Sequence, residues 1–333
     1  MTKKSTLEQA SQLIRRAHQP LLVCHVAPDG DALGSLTALA YALRQLDQSP
    51  IAACPDTIPS HLRYIPHIEA VVRSFTDPFD LVVALDCSDL GRLGDFPELP
   101  QFNQRPLINI DHHVTNVGYG DVDLVDPRAS STAEVLLRLL DHLHVSLDET
   151  LATCLLVGLV TDTRGFRTNN VTPRVIETAL RLMEAGASLP YVTQHGLDRR
   201  PTVGIRLWGA ALSRLRSQDG IIWTRIPVEM RRCVGYQGDG DAGLVSFLVS
   251  AEEADVSVVF VEQGDGRIEV GLRAVPGFDV ARFALRFGGG GHALAAGFSI
   301  SGPLEAAEER VLDALRADLT RQRASHGQRN PQR

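Results

Sequence analysis

The chain has 333 residues, 44% of them hydrophobic, and a formal net charge of −7 at pH 7. This length and composition exclude a disordered chain and suggest two domains. The acidic charge argues against a protein that coats long nucleic acid by bulk electrostatics. Five scattered cysteines without a C-x-x-C pair indicate neither a disulfide framework nor a zinc ribbon. Since the longest apolar run, 151–160, is too short to cross a bilayer, we expect a cytoplasmic protein without a membrane partner.

The first half of the chain alternates short apolar runs with helical periodicity. Apolar runs that end in polar loops predict buried parallel strands at 21–26, 51–53, 81–85 and 107–110. Helical spacing of apolar residues predicts helices at 32–46, 132–143, 149–160 and 173–185. Ser130 or Ser131, and Thr172, are the expected N-caps. The fold class predicted for residues 1–188 is therefore α/β, with a doubly wound, mainly parallel sheet.

The pattern breaks at Pro190 and Pro201, and residues 189–204 are predicted to form a linker. Beyond it, residues 205–320 predict a smaller α+β domain with a hairpin at 256–273 and a glycine run at 288–291. Residues 321–333, rich in Arg, Gln and Ser, are predicted to be a disordered tail. We expect a substrate cleft between the two domains.

Residues of metal-ligand type follow three of the four predicted strands of the first domain and end one of its helices. Open α/β sheets bind ligands outside the carboxyl ends of their strands, so these side chains are expected to converge. Four aspartates in one cleft would repel each other unless about two divalent cations compensated their charge. The candidate ligands are His25, Asp29, Asp31, Asp86, His112 and Asp162.

The donor set predicts the kind of metal. Carboxylates and imidazoles without a thiolate suit Mn²⁺, with Mg²⁺ or Co²⁺ as alternatives, whereas a cysteine-rich set would indicate zinc. Gly30 allows a tight turn between Asp29 and Asp31, so the two carboxylates could face two neighbouring ions. The sequence therefore predicts a centre of two Mn²⁺ ions.

These motifs resemble those of the DHH phosphoesterase superfamily. Its hallmarks match His25-x-x-x-Asp29-x-Asp31, Asp86, Asp111-His112-His113 and Asp162. The segment Gly288-Gly-Gly-Gly-His292-Ala-Leu-Ala-Ala-Gly297 resembles the signature of the DHH-associated nucleic-acid-binding domain. Within the superfamily, the two-domain length and the segments at 111–116 and 129–134 most resemble the NrnA-type nanoRNase and pAp phosphatase group.

The resemblance implies a role for each matched residue. His25 and Asp29 would bind one metal, Asp31, His112 and Asp162 the other, and Asp86 both. Asp111 would help to orient a metal ligand without binding the metal itself. His113 would contact the substrate, either stabilising the phosphoryl group or protonating the leaving oxygen. In the second domain, substrate binding is expected from Arg273, Gly289, Gly290, Gly291 and His292.

The expected substrates are short RNA oligonucleotides, released as 5′-mononucleotides, and 3′-phosphoadenosine 5′-phosphate (pAp), converted to AMP; short single-stranded DNA is a further candidate. Alternatives are a linear or cyclic dinucleotide phosphodiesterase, a RecJ-like single-strand DNA exonuclease and a non-catalytic nucleotide sensor. A homodimer is also expected from the resemblance. One departure is Arg164, where the family often has glycine, and it makes the shape of that loop uncertain.

Overall fold

The computed structural model describes residues 5–327, with side chains described as far as 324. The chain divides into two compact units between Arg199 and Arg200. In the first unit, the helices and strands occur in this order: α1 (Thr6–Arg16), β1 (Pro20–Cys24), α2 (Gly30–Gln45), β2 (Ile51–Ala53), β3 (Leu81–Leu85), β4 (Leu107–Asp111), β5 (Val122–Val125), α3 (Thr132–Leu143), α4 (Glu149–Asp162), α5 (Pro173–Glu184) and α6 (Leu189–Thr193).

The five strands of the first unit form one parallel sheet in the order β2-β1-β3-β4-β5. β1, β3 and β4 are buried along their whole length, which explains why they are continuous apolar runs. Successive side chains of β1 enter opposite cores: Leu22 packs with the helices, and Leu21 packs with Phe79 and Phe102 on the other face. The predicted parallel α/β fold is confirmed, and the strand order changes direction between β1 and β3.

One face of this sheet is covered by α-helices and the other largely by short 3-10 turns between β2 and β4. On the helical face, α2 and α4 approach closely because Gly34 has no side chain. A Cβ atom on Gly34 would lie 2.6 Å from the backbone oxygen of Cys154, much closer than van der Waals contact. This contact brings the beginning of α2 and the end of α4 to the same edge of the sheet.

The predicted linker is mostly helical. α6 is followed by a π-helix at Gln194–Asp198, and α7 (Thr202–Leu212) starts before the predicted linker ends. The prolines at 190 and 201 misled the prediction, because proline is tolerated at the start of a helix, where its missing N–H group has no intrahelical partner. Ser188 caps α6 by accepting from the backbone N–H of Tyr191.

The second unit contains a mixed sheet of six strands in the order β10-β11-β9-β8-β7-β6, in which only β7 and β8 pair in parallel. The predicted hairpin is confirmed as β8 and β9. After α7, the remaining elements are β6 (Arg216–Gln218), β7 (Ile221–Ile226), α8 (Val228–Val234), α9 (Leu244–Leu248), β8 (Val256–Glu262), β9 (Arg267–Ala274), α10 (Val280–Leu285), β10 (Gly290–His292), β11 (Ala295–Ser301) and α11 (Leu304–Gly327).

The last helix extends further than the sequence predicted. α11 continues to Gly327, so residues 321–327, assigned to a disordered tail, are helical, and 328–333 lie outside the described residues. Apolar residues such as Leu315 and Leu319 anchor α11 on the core of the second unit, and the polar residues after them continue the helix. Within residues 5–327, none of the helices is both long and apolar enough to span a bilayer.

Candidate metal centre

The predicted ligands lie at the carboxyl edge of the parallel sheet, beside the point where its strand order changes direction. His25 follows β1, Asp86 follows β3, and His112 follows β4. Asp29 and Asp31 lie at the start of α2, while Asp162 is the last residue of α4. Open parallel sheets place ligands at this position because the loops on either side of the change diverge and leave a crevice.

A first ligand group consists of His25, Asp29 and Asp86. Nε2 of His25 lies 3.5 Å from Oδ2 of Asp86 and 4.0 Å from Oδ1 of Asp29. His25 is directed by its own backbone, since its Nδ1 lies 2.7 Å from the carbonyl oxygen of Val26. An N–H at Nδ1 donating to that carbonyl leaves the lone pair of Nε2 facing the carboxylates, as a metal ligand requires.

A second group consists of Asp31, His112 and Asp162. Nε2 of His112 lies 3.5 Å from Oδ2 of Asp162, 4.0 Å from Oδ2 of Asp31 and 3.7 Å from Oδ1 of Asp86. Asp86 thus presents one carboxylate oxygen to each group. All six predicted ligands are brought together, and Asp86 lies where a ligand shared by two ions would have to lie.

Two buried atoms of this cluster have no hydrogen-bond partner among the described residues, namely Oδ2 of Asp86 and Nε2 of His112. Leaving a buried polar atom without a partner costs about 1–3 kcal/mol, so such atoms in a native structure require an explanation. A divalent cation accepts lone pairs from both kinds of atom. The residues present therefore fit a metal.

The electrostatics of the cluster also fit a cation. Burial, followed by repulsion from other carboxylates, raises the pKa of Asp31 well above its usual range. Burial likewise raises the pKa of Asp162 to about 7. Burial also opposes ionisation of Asp86, but the close approach of His25 and of the other nearby imidazoles lowers its pKa to about 2. Without a cation, the protein holds protons on part of this carboxylate cluster.

Two backbone features place the ligands. Asp86 has a left-handed backbone conformation, with φ at 58°, which costs about 1 kcal/mol in most residues and less in aspartate. Gly30 was expected to allow a tight turn between Asp29 and Asp31. It instead begins α2 and permits close packing, because a Cβ atom there would lie 2.5 Å from Oγ1 of Thr161. Asp162 follows Thr161, so this contact brings α4 to the ligand cluster.

The carboxylate of Asp111, expected to support a metal ligand, contacts the backbone of His112 and the side chain of His113. Its Oδ1 accepts from the backbone N–H of His112 at 2.8 Å and lies 2.7 Å from Nδ1 of His113. Its Oδ2 accepts from the side-chain amide of Asn116 at 2.6 Å. The carboxylate therefore orients the imidazole of His113, while the imidazole of His112 faces the other carboxylates. Burial alone would lower the pKa of His113, but Asp111 and the neighbouring negative charges raise it to about 9.

Two further residues contact the cluster without having been singled out as part of it. Arg92 brings a guanidinium nitrogen to 3.0 Å from Nδ1 of His25, and no motif in the sequence marked it. Thr132 donates its hydroxyl to Oδ1 of Asp86 at 2.9 Å, although its segment was interpreted only as a helix cap and as part of the family resemblance. Such long-range contacts leave no local pattern in the sequence.

Comparisons with known proteins assign this arrangement to a family. A model of the DHH family, N-terminal domain, matches residues 20–159, and a model of the DHHA1 domain matches residues 234–321. A relative from Thermus thermophilus, named bifunctional oligoribonuclease and PAP phosphatase NrnA, is 33% identical over 93% of this chain and 94% of its own length. The chain belongs to the DHH family.

Solved structures agree with this DHH assignment. An exopolyphosphatase-related protein from Bacteroides fragilis, 25% identical, covers 93% of this chain and 95% of its own chain with a TM-score of 0.87. RecJ from Thermus thermophilus, solved in complex with Mn²⁺, is 20% identical and has a TM-score of 0.57. It matches 95% of this chain but only 55% of its own, so the likeness shows a shared fold.

Arg164 departs from the DHH pattern at a position that favours glycine. Its φ is 51°, and Gly165 and Phe166 also have positive φ angles of 71° and 63°. A left-handed conformation costs about 1–2 kcal/mol in a residue with a Cβ atom. The loop keeps its shape through backbone hydrogen bonds, including one from Arg164 N–H to the carbonyl of Thr161 at 3.1 Å. The arginine therefore leaves Asp162 in the ligand cluster.

In the DHHA1 unit, Arg273 and His292 lie on the same face of the sheet. Ala295 of β11 pairs with both residues, with His292 on one side and Arg273 on the other. Directly paired residues of antiparallel strands point to one face. Gly271 and Gly297 pair next to them and leave that face without side chains. They line a depression of about 360 Å³ together with Arg273.

The glycine run is used differently from the prediction. Gly289 donates its backbone N–H to the carbonyl of Ala284 at 3.0 Å, so this group is engaged within the unit. A Cβ atom on Gly289 would clash with Gly297, and one on Gly291 with Ala295, so both glycines permit the close approach of β11. Gly290, where a Cβ atom would contact nothing, shares the face of Arg273.

We expect Mn²⁺ binding to release protons. Asp162, with a pKa of about 7, is largely protonated in the metal-free protein at mildly acidic pH, and burial and neighbouring carboxylates also raise the pKa of Asp31. Metal ligands must be deprotonated, so binding should release about one proton or more per chain at about pH 6 and fewer at about pH 8. Calorimetric titrations in two buffers of different ionisation enthalpy measure this number. Equal heats in both buffers at the lower pH would contradict the expectation.

Proposed function

We propose that this DHH-family chain is a two-metal phosphoesterase that hydrolyses short oligoribonucleotides to 5′-mononucleotides and pAp to AMP, with Mn²⁺ as the preferred ion. The observation that carries the proposal is the pair of ligand groups that meet at Asp86. The name of the Thermus thermophilus relative supports the choice of substrates, since the match covers 94% of that protein.

Bound divalent cations supply two effects in such a site, the acidification of water and the neutralisation of charge on the phosphoryl oxygens. The side chains of this protein would determine where the two ions bind. His25, Asp31 and Asp86 are buried, which strengthens the electrostatic interactions among them, whereas the side chain of Asp29 is 61% exposed. The ions would be held by His25 and Asp29 on one side, by Asp31, His112 and Asp162 on the other, and by Asp86 in both.

His113 is proposed to act on the substrate. Its Nδ1 is held by Asp111, so a proton on Nε2 is the one that can be presented to a phosphate or leaving-group oxygen. The raised pKa of His113, about 9, keeps the imidazole protonated near neutral pH in the metal-free protein. Asp111 thus prepares a cationic donor beside the site at which negative charge would develop.

The DHHA1 unit is proposed to bind the nucleotide through Arg273, His292 and the face that they share. Nε of Arg273 donates to Oγ of Ser246 at 3.2 Å, and this hydrogen bond fixes the direction of the guanidinium over the depression. Guanidinium groups bind phosphates through paired hydrogen bonds, and imidazole rings stack on bases. That one substrate engages both units stays a prediction, as does a homodimer.

Turnover measured on one panel of substrates tests the proposed function. Purified protein with Mn²⁺ is expected to hydrolyse di- to pentaribonucleotides and pAp. Faster turnover of cyclic or linear dinucleotides would instead favour a dinucleotide phosphodiesterase, and faster turnover of longer single-stranded DNA would favour a RecJ-like exonuclease. Binding of nucleotide without turnover of any substrate would indicate a sensor. Parallel reactions with Mg²⁺ and Co²⁺ test the preferred ion.

Replacing Arg273 with alanine is expected to raise KM for a short oligoribonucleotide and to affect kcat much less. The lost interaction is a hydrogen bond to a charged group, worth about 1.5–3 kcal/mol, which corresponds to roughly a 10- to 100-fold change. Arg267→Ala is the matched control, because Arg267 lies on the same strand and pairs with Asp265 instead. Similar KM values in both variants would remove Arg273 from the binding surface.

A further inference from the structure

Thr132, the first residue of α3, contacts two of the proposed metal ligands at once. Its backbone N–H donates to Oδ2 of Asp31 at 2.6 Å, and its hydroxyl donates to Oδ1 of Asp86 at 2.9 Å. Ala133 adds a second backbone hydrogen bond to Asp31, at 3.0 Å. Thr132 is fully buried, and both carboxylates are 1% exposed, so water does not replace these contacts.

The direction of the Asp86 carboxylate decides whether its two oxygens can serve two ligand groups. Rotation about the last side-chain torsion of aspartate is only weakly restricted. In the structure, Oδ2 faces His25 and Oδ1 faces His112. The Thr132 hydroxyl, on α3, donates a hydrogen bond to Oδ1 of Asp86, and Oδ2 then points toward His25. One hydrogen bond therefore restrains the rotation of the carboxylate.

Capping of α3 does not require the Thr132 hydroxyl. Ser131 is the N-cap residue, and its Oγ accepts from the backbone N–H of Glu134 at 3.2 Å. Ser130 donates to the Glu134 carboxylate through its backbone N–H and its hydroxyl, and these hydrogen bonds further stabilise the N-terminus of α3. A threonine in a helix also loses side-chain freedom relative to unbranched residues. The hydroxyl of Thr132 thus has a contact that helix formation alone does not explain.

We propose that Thr132 is a positioning residue for the metal centre. Its hydroxyl holds the Asp86 carboxylate so that the two oxygens face different ligand groups, and its N–H group holds Asp31 at a set distance from Asp86. This role rests on the proposed function, because it concerns the same centre. Thr132 itself does not contact the reacting atoms.

The hydroxyl can be tested apart from the backbone. Thr132→Val removes the hydroxyl, keeps the branched shape and retains the N–H group that binds Asp31. Thr132→Ser keeps the hydroxyl and should restore function. Thr37→Val is the matched control, since Thr37 is buried in α2 and its hydroxyl binds only the backbone carbonyls of Leu33 and Gly34. For each protein, calorimetry measures the affinity and stoichiometry of Mn²⁺ binding. The melting temperature with and without Mn²⁺ and the turnover of pAp are measured as well.

Loss of a hydrogen-bond partner behind a metal ligand typically lowers metal affinity or activity about 10- to 100-fold. We expect a loss of this size in Thr132→Val, smaller stabilisation of that variant by Mn²⁺, and values within about threefold of the unaltered protein for Thr132→Ser and Thr37→Val. If Thr132→Val does not fold, Thr132→Ser and Thr132→Ala are compared, and only the serine variant should keep its Mn²⁺ affinity.

Three negative results have different meanings. Unchanged Mn²⁺ affinity in Thr132→Val, or equal affinities in the serine and alanine variants, would overturn the positioning role and leave the proposed function standing. Failure of the unaltered protein to bind Mn²⁺ would overturn the proposed function itself. Equal losses in Thr132→Val and Thr37→Val would show that a buried hydroxyl matters only for folding.

Discussion

Replacing Asp86 with alanine should abolish hydrolysis of pAp and of short oligoribonucleotides while the protein remains folded. Among residues 5–327, Asp86 is the carboxylate that faces both ligand groups, so its loss would remove a ligand from each ion. A fall in kcat of at least about a thousand-fold is expected, at the upper end of what removing one electrostatic stabiliser costs. Turnover at saturating Mn²⁺ is the measurement.

The fold should survive because two effects of losing Asp86 oppose each other: its favourable contacts with the imidazoles are lost, and its repulsion of neighbouring carboxylates is relieved. Asp86 raises the pKa of Asp31 and of Asp162 through its charge, and removal of that charge relieves the repulsion. The melting temperature of the metal-free variant should therefore not fall far below that of the unaltered protein, whereas stabilisation by Mn²⁺ should be lost.

Asp86→Asn is the conservative companion, because it keeps the shape and one oxygen and removes the charge. It should bind Mn²⁺ weakly and remain inactive. Full turnover in either variant would show that the shared-ligand assignment is wrong. Loss of folding in alanine and asparagine variants alike would instead mean that Asp86 is needed for the structure around His25 and His112.

The ligand cluster could be predicted because its information is local. Residues such as Asp86 and His112 follow apolar strands directly, and parallel strands that end at one edge bring such residues together whatever the details of packing. The same argument did not find β5, because Val122–Val125 is short and only partly buried, and it lacks the continuous apolar run of β3 and β4. Hydrogen bonding to β4 makes it a strand.

Contacts between distant residues were not predictable in this way. Thr132 and Asp86 are 46 positions apart, and Thr132 and Asp31 are 101 apart, so the sequence around Thr132 did not show these contacts. Asp111 was expected to serve a metal ligand, but whether it orients His112 or His113 depends on side-chain directions after β4. Gly289 was expected to bind substrate, and the sequence did not show that a Cβ atom at this position would clash with β11.

Replacing His113 with glutamine should lower kcat about 10²- to 10⁴-fold on natural substrates, which is the usual contribution of a positioned proton donor. Mn²⁺ stoichiometry should stay at that of the unaltered protein, because His113 is not one of the six proposed ligands and its Nδ1 is held by Asp111. Calorimetric titration with Mn²⁺ separates this result from simple loss of the metals. Asp111→Asn should produce part of the same defect, since Asp111 holds Nδ1 of His113.

Substrates with different leaving groups separate two possible roles of His113: protonation of the leaving oxygen and stabilisation of charge on the phosphoryl oxygens. A ribose oxygen is a poor leaving group and needs a proton, whereas p-nitrophenolate leaves without one. If His113 protonates the leaving oxygen, the glutamine variant should lose much less activity on the p-nitrophenyl ester of a nucleoside 5′-monophosphate than on a dinucleotide. Equal losses on both esters would assign His113 to the stabilisation of the phosphoryl oxygens. No loss on either ester would mean that the imidazole held by Asp111 does not contact the substrate.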